Sequence, residues 1–142
     1  QEYKKYLLKL ATKLGIKNKV TFWGFVDESK KFELLTKAHI LINPSIREGW
    51  GLVNIEANAM GTPVVAYRSA GLVDSVKDGQ SGVIVKKNSP EKLAEEITIL
   101  FKNSEKYKNL QTGAISWSRK FSWGKSCQKS LNLINRVFKT NT

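Results

Sequence analysis

Residues 40–66 read ILINPSIREGWGLVNIEANAMGTPVVA, in which two apolar runs flank a glycine-containing stretch. The first run, Ile40–Ser45, ends at a proline and predicts a buried strand. Residues 46–50 predict a loop, and residues 51–60 predict a helix that a Gly-Thr-Pro sequence ends. Val64–Tyr67 predicts the next strand. A strand, a helix and a strand in this order are typical of a parallel sheet.

The same alternation extends toward the N-terminus. Apolar residues at helical spacing predict a helix over residues 3–14, closed by a glycine. A β-branched and aromatic run, Val20–Val26, predicts a strand and its exit loop. Either Asp27 or Ser29 is expected to cap a helix that ends at Lys37.

Toward the C-terminus the pattern predicts a short helix over residues 71–77, a strand over Gly82–Val85 and a helix that Pro90 opens. A final helix is expected from a cap at Ser122 to Phe138. Its predicted buried residues are Trp123, Cys127, Leu131, Ile134 and Phe138. The fold class predicted from these elements is α/β, a Rossmann-like doubly wound parallel sheet.

The composition excludes several classes of protein. Of 142 residues, 41% are hydrophobic and 25% are charged, as in a soluble globular domain. No stretch approaches the ~20 consecutive apolar residues of a membrane-spanning helix. Cys127 is the only cysteine and His39 the only histidine, so neither an internal disulfide nor a Cys/His metal site is expected.

The net charge of +12 lies mostly in the C-terminal third. Residues 1–85 carry 12 basic and 8 acidic side chains, whereas residues 86–142 carry 12 basic and 4 acidic ones. A basic surface of this kind fits anionic lipid, a polyphosphate ligand or nucleic acid. It fits a solvated lysine-rich surface equally well.

Two glutamates flank the start of the central predicted helix. Ligands of such sheets bind beyond the carboxyl ends of the strands, so the loop that contains Glu48 is the predicted site. Gly49 and Gly51 allow the backbone to approach a ligand, and the unpaired N–H groups from Gly51 to Val53 offer a site for an anion. Glu48 and Glu56 can then contact different parts of one extended ligand. Two glutamates taken alone are more often solvated or helix-capping carboxylates.

The segment Glu48–Ala57, followed by Gly61–Ala66, resembles the paired-glutamate segment of the family 4 (group 1) glycosyltransferases. Further motifs resemble that family in the family's own order. They are Val20–Val26, Ala38–Ser45, Asp74–Val85 and Phe121-Ser122-Trp123. The resemblance covers most of the chain.

The resemblance implies the GT-B fold, in which two Rossmann-like domains face each other and the C-terminal one binds a nucleotide-sugar. Residues 1–142 would be that C-terminal domain, in part, and the N-terminal acceptor domain would be absent. Glu48 would be the catalytic-site residue that holds hydroxyls of the transferred sugar, and Glu56 would accept from the ribose hydroxyls. The backbone would hold the remaining parts of the donor at Val26 (nucleobase) and at Gly49, Gly51, Leu52 and Val53 (sugar and diphosphate).

The implied reaction is a retaining hexosyl transfer that needs no metal or other cofactor. Its donor would be a UDP- or GDP-sugar, and its acceptor a glycan or a lipid-linked sugar bound by the absent domain. Glycan, glycolipid or polysaccharide synthesis would be its setting. We expect a cytoplasmic location, with peripheral membrane contact as an option, and no nucleic-acid partner.

The family's domain also begins with two strands that this chain lacks. The borrowed strand order would leave a gap between Val20–Gly24 and Ile40–Asn43. We expect upstream residues to fill it, with a second chain or direct pairing of the two stretches as alternatives. This segment alone is expected to be inactive.

Two other functions remain open from the sequence. One is a non-catalytic module whose basic third binds membrane or nucleic acid. The other is a different GT-B enzyme, such as a nucleotide-sugar epimerase or a phosphorylase. At single positions, we interpret His39 as structural, although the family has an aspartate there, and Trp117 and Trp123 as packing residues.

Overall fold

A computed structural model describes residues 2–140, with side chains up to Phe138. The described chain divides after Lys30 into two compact units. Its helices and strands, in chain order, are α1 (Glu2–Lys13), α2 (Glu28–Lys37), β1 (Leu41–Asn43), α3 (Leu52–Ala59), β2 (Val64–Ala66), α4 (Leu72–Ser75), β3 (Gly82–Ile84), α5 (Pro90–Lys102), α6 (Ser104–Ser118) and α7 (Trp123–Thr140). A short 3₁₀ helix, Lys17–Lys19, follows α1.

The three strands form one parallel sheet in the order β1-β2-β3. Leu41 pairs with Val64, and Val64 pairs with Gly82 on the other side. β2 is therefore the central strand, and all three of its residues are buried. The α/β class and the parallel sheet that the sequence predicts are confirmed.

The sheet separates two hydrophobic cores, because alternate residues of a strand face opposite sides. Val64 and Ala66 lie in the core that also contains Leu35 of α2, Ala57 of α3 and Leu72 of α4. The second core forms around the intervening residue of β2 and is completed by β3, α5 and α6. Its buried members are Val65, Tyr67, Val83, Val85, Leu93, Leu100 and Leu110. Helices on both faces explain why β2 has no polar residue.

The predicted strand over Val20–Val26 is wrong. Residues 20–26 form no strand, although Val20 has the extended dihedral angles φ −117° and ψ 124°. An extended segment becomes a strand only when a neighbour accepts and donates its backbone hydrogen bonds. Among the described residues, β1 pairs with β2 alone, so direct pairing of residues 20–24 with β1 does not occur. The other two ways of filling the gap stay predictions.

The C-terminal helices differ from the prediction in two respects. Helix α6 was not predicted, although Asn103 caps it by accepting a hydrogen bond from the N–H of Lys106. Helix α7 was predicted, and Ser122 Oγ accepts from the N–H of Lys125 as expected of a cap. However, its apolar side chains are exposed rather than buried: Trp123, Cys127, Leu131, Ile134 and Phe138.

Of the two candidate caps of α2, Asp27 is the one used, since its Oδ1 accepts from the N–H of Lys30 at 2.7 Å. At the other end of the helix, the buried Thr62 Oγ1 donates to the carbonyl oxygen of Leu35 at 2.6 Å. This hydrogen bond ties the end of α2 to the segment that precedes β2.

We expect Thr62→Val to lower the free energy of unfolding by about 1–3 kcal/mol, because it removes a buried hydrogen bond without changing the side-chain shape. Urea denaturation measures the change. Thr62→Ser keeps the hydroxyl and is expected to lose less. A larger loss for serine than for valine would show that the methyl group, not the hydrogen bond, stabilises this contact.

Candidate functional site

The loop that joins β1 to α3, residues 44–51, leaves the sheet at its carboxyl edge. Glu48 lies half-buried in it, and its Oε1 accepts a hydrogen bond from the N–H of Gly49 at 3.2 Å. Farther back in the loop, Ser69 Oγ donates to the carbonyl oxygen of Ser45 at 2.7 Å. The loop is therefore attached both to itself and to the segment after β2.

The loop also packs against the N-cap of α4. Gly71 has a φ of +80°, and a Cβ at this position would lie 2.4 Å from the carbonyl oxygen of Glu48 and 2.7 Å from that of Gly49. Any side chain would collide with the loop backbone, so only glycine permits this approach. The position of Glu48 depends on a residue 23 positions later in the chain.

A buried amide network connects β1, α3 and α4 beneath the loop. Asn54 Oδ1 accepts from Asn43 Nδ2 at 3.0 Å, and Asn54 Nδ2 donates to Ser75 Oγ at 2.8 Å. All three residues are buried. We did not predict this network. Its signal in the sequence is an asparagine at the end of an apolar strand and a second one inside the following helix.

The first turn of α3 has N–H groups that are not used by the described part of the fold. Gly51 is its N-cap, with φ 81° and ψ 60°, and the carbonyl oxygen of Gly51 accepts from the N–H of Asn54 at 2.9 Å. The described chain provides no acceptor for the N–H groups of Leu52 and Val53. First-turn N–H groups, together with the helix dipole, favour an anion at such a position.

Glu56 lies one turn into α3 and pairs with a lysine of α2. Lys31 Nζ lies 2.7 Å from Glu56 Oε1, and the two side chains are 34% and 28% exposed. The pair is thus neither fully solvated nor fully buried.

An aromatic cluster closes the site beside α3. The rings of Trp50 and Phe121 meet edge-to-face with centroids 4.9 Å apart, and those of Trp117 and Phe121 are 5.1 Å apart. Trp117 Nε1 also donates to the carbonyl oxygen of Ser75 at 2.8 Å, so its interpretation as a packing residue is confirmed. Trp123, in contrast, is 83% exposed, and its packing role is not observed.

A cavity of about 480 Å³ lies between this cluster, α3 and the start of α7. Aromatic and aliphatic side chains form most of its wall, and Glu56 is its only ionisable lining residue. The lining residues are Trp50, Leu52, Ile55, Glu56, Phe121, Ser122, Trp123 and Ser126.

The remaining predicted positions are placed as follows. Six of them lie in the loop and the first turns of α3: Glu48, Gly49, Gly51, Leu52, Val53 and Glu56. Val26 belongs to the other unit, in which it is half-buried. The rings of His39 and Phe101 meet edge-to-face with their centroids 6.1 Å apart, which agrees with a structural role for His39. Within the described side chains, no three His, Cys, Asp or Glu residues are grouped as a metal site would require.

Comparison with known proteins identifies a family for this constellation. The family described as "Glycosyl transferases group 1" matches residues 1–117. A D-inositol 3-phosphate glycosyltransferase of Streptomyces bingchenggensis is 36% identical over 120 residues, which are 84% of this chain and 26% of that protein. An uncharacterised glycosyltransferase of Methanocaldococcus jannaschii is 40% identical over 99 residues, which are 70% of this chain and 28% of that protein.

Solved structures show the same fold. HepE of Anabaena, in complex with UDP, is 26% identical and superimposes with a TM-score of 0.86 over 96% of this chain and 37% of that one. The same protein is also known in complex with UDP-glucose. Sucrose-phosphate synthase of Thermosynechococcus elongatus is 25% identical, with a TM-score of 0.86 over 98% of this chain and 35% of that one. The C-terminal domain of a group 1 glycosyl transferase of Francisella tularensis is 22% identical, with a TM-score of 0.71 over 84% of this chain and 62% of that one. The three-stranded sheet and its helices therefore correspond to the C-terminal domain of GT-B proteins.

We expect Gly71→Ala to displace the β1–α3 loop, because the added Cβ would meet two carbonyl oxygens of that loop. Gly79→Ala is the matched control, since Gly79 also has a positive φ, +74°, but has nothing within 4 Å of its Cβ position. Both glycines have a positive φ, so each alanine variant carries backbone strain, and the two differ in what the added Cβ meets. The additional loss of unfolding free energy in Gly71→Ala should be about 1–3 kcal/mol, the usual scale of overpacking.

Urea denaturation of the two variants gives this difference, and the amide NMR signals of Gly49 and Gly51 report the loop. Equal stability of the two variants, with unmoved amide signals, would show that the loop does not depend on the approach of Gly71.

Proposed function

Because the chain belongs to the group 1 glycosyl transferases, we propose that it is the donor-binding domain of a retaining hexosyltransferase. The observation that carries this proposal is the arrangement at the start of α3. The open N–H groups of Leu52 and Val53 lie between Glu48, in the preceding loop, and Glu56, one turn further along. N–H groups that donate to an anion, flanked by two carboxylates that accept from hydroxyls, match a ligand in which a diphosphate joins a sugar to a ribose.

The proposed ligand is a nucleoside diphosphate sugar, with UDP- and GDP-sugars as the first candidates. The diphosphate oxygens accept from the N–H groups of the first turn, Glu48 holds the transferred sugar, and Glu56 holds the ribose. The presence of UDP and UDP-glucose on HepE, a protein of the same fold, supports a uracil nucleotide as the first probe.

The chemistry of the proposed reaction is electrostatic. When the glycosidic bond to the diphosphate breaks, negative charge develops on the leaving oxygens. N–H groups already oriented toward that position stabilise the charge without reorganisation. We infer that the reaction uses no metal and proceeds with retention of the anomeric configuration, as the family resemblance implies.

The acceptor is proposed to bind on a further domain. The chain spans about a quarter to a third of the length of the curated relatives it matches, 26% and 31% in two of them. A glycan or a lipid-linked sugar is the proposed acceptor, in the cytoplasm or at the surface of a membrane. The chain by itself would bind the donor without transferring the sugar.

A second role, contact with an anionic membrane surface, is favoured by helix α7. Leu133 and Val137 are exposed on it, and Lys125 and Lys129 add positive charge. Helices of this composition bind at lipid interfaces. None of the helices within residues 2–140 combines the length and the apolar character needed to cross a bilayer.

In the full-length protein, Glu56→Ala is expected to weaken binding of UDP by about 1–3 kcal/mol, the scale of losing hydrogen bonds to a charged acceptor. Isothermal titration calorimetry with UDP, GDP and their glucose conjugates first identifies the nucleotide that binds most tightly. Glu95→Ala is the matched control, because Glu95 also pairs with a lysine, Lys92, but lies on α5. An unchanged dissociation constant in Glu56→Ala, or no binding of any nucleotide by the unaltered protein, would contradict the proposed function. Binding to an anionic membrane or to nucleic acid that weakens steeply with added salt, and that a nucleotide-sugar does not compete with, would instead favour a basic binding module.

Glu48→Ala is expected to act on the sugar rather than on the nucleotide. Turnover and affinity for the nucleotide-sugar should fall, whereas affinity for the sugar-free nucleoside diphosphate should stay within about twofold, because Glu48 precedes the helix at the sugar end. Calorimetry with both ligands and a transfer assay measure the difference. Equal losses for the two ligands would contradict the assignment of Glu48 to the sugar.

A further inference from the structure

An ion pair joins the candidate site to α2 through Lys31 and Glu56. Lys31 Nζ donates to Glu56 Oε1 at 2.7 Å across 25 positions of sequence. Within the described side chains, the second oxygen, Oε2, accepts no hydrogen bond. A carboxylate has about four lone-pair positions, so a lysine on one oxygen leaves the other able to accept from a ligand hydroxyl.

The packing around this pair fixes the position of Lys31. Leu35, one turn after Lys31 and on the same face of α2, is buried in the same core as Ala57, the neighbour of Glu56. The carbonyl oxygen of Leu35 is bound by Thr62 Oγ1. Because the backbone is held at Leu35, the side chain of Lys31 starts from a defined point beside α3.

The pair also reduces the repulsion between Glu56 and the phosphates of a bound nucleotide. A glutamate one turn from an anion-binding helix start would repel the diphosphate of a bound nucleotide. The ammonium of Lys31 offsets that negative charge, and the partial exposure of both side chains leaves Glu56 reachable from solvent. Glu56 can therefore contact a ribose without an unbalanced charge next to the phosphates.

We propose that Lys31 is a positioning residue for ribose recognition, holding Glu56 Oε1 so that Oε2 accepts a hydrogen bond from a ribose hydroxyl of the donor. The inference rests on the proposed function, since it requires Glu56 to face the ribose. Lys31 itself does not take part in the chemistry. It sets how strongly the site distinguishes a ribose with both hydroxyls from one that lacks a hydroxyl.

The test compares binding of UDP, 2′-deoxy-UDP and 3′-deoxy-UDP to variants of the full-length protein by calorimetry. We expect Lys31→Met to weaken UDP binding about three- to tenfold, which lies in the lower part of the range of coupling between residues in one polar network. The preference for UDP over the deoxy nucleotide whose missing hydroxyl Glu56 binds should fall by the same factor. Lys31→Arg, which keeps a cationic donor, is expected to restore most of both.

Two further variants separate this role from a general loss of structure. Lys37→Met removes a lysine from the same helix that pairs with Glu33 instead, and it should bind all three nucleotides as the unaltered protein does. Lys31→Met combined with Glu56→Gln should bind UDP no more weakly than Glu56→Gln alone, because both changes remove one interaction.

Each alternative result is decisive. If Glu56→Gln weakens UDP binding but Lys31→Met does not, the proposed function stands and the role of Lys31 is wrong. An equal loss for UDP and both deoxy nucleotides in Lys31→Met would make Lys31 a structural residue only. Tighter binding of UDP by Lys31→Met would show that Lys31 competes with the ribose for the carboxylate of Glu56. If no nucleotide binds to the unaltered protein, the proposed function fails and the inference fails with it.

Discussion

The buried amide of Asn54 is the contact on which the geometry of the site depends. It accepts from Asn43 at the end of β1 and donates to Ser75 at the end of α4, so it joins three elements with two hydrogen bonds. Left without either partner, a buried amide would lose on the order of 1–3 kcal/mol. The network therefore favours one arrangement of strand, helix and loop over those that leave a polar group unpaired, and the N-terminus of α3 takes its direction from it.

Two glycines permit the close backbone approaches that this arrangement also requires. A Cβ on Gly51 would lie 2.7 Å from Asn54 Nδ2, and a Cβ on Gly71 would meet the carbonyl oxygen of Glu48. Both positions also have a positive φ. The loop between β1 and α3 is thus compressed between the buried network on one side and α4 on the other, which leaves its glutamate at a defined place.

The sequence predicts the parts of this structure that depend on local pattern. Apolar runs locate the three strands, and caps such as Asp27 locate helix starts. The assignment of the site to the paired glutamates stays a prediction. Contacts between distant positions are not visible in such patterns, so the sequence predicts neither the partners of Asn54 nor the pairing of Lys31 with Glu56. The misplaced strand over Val20–Val26 has a related cause. Its residues favour an extended backbone, but a strand also requires a neighbouring strand to pair with. Strand propensity carries no information about whether such a neighbour is present. The same holds for the exposed face of α7, because amphipathic spacing predicts that a face will be covered but not what covers it.

In the proposed site, two acidic side chains would serve an anionic ligand. Glu48 is held by the N–H of its own neighbour, Gly49, on a loop that Gly71 supports. Glu56 is held by the ammonium of Lys31 on a separate helix. In each case one carboxylate oxygen is occupied by the protein before any ligand arrives. A side chain already held in its binding orientation loses little conformational entropy on binding, so more of each hydrogen bond is available for affinity. If Lys31 acts as proposed, the sugar end and the ribose end of the site are preorganised by different elements, and substitutions can alter one end without altering the other.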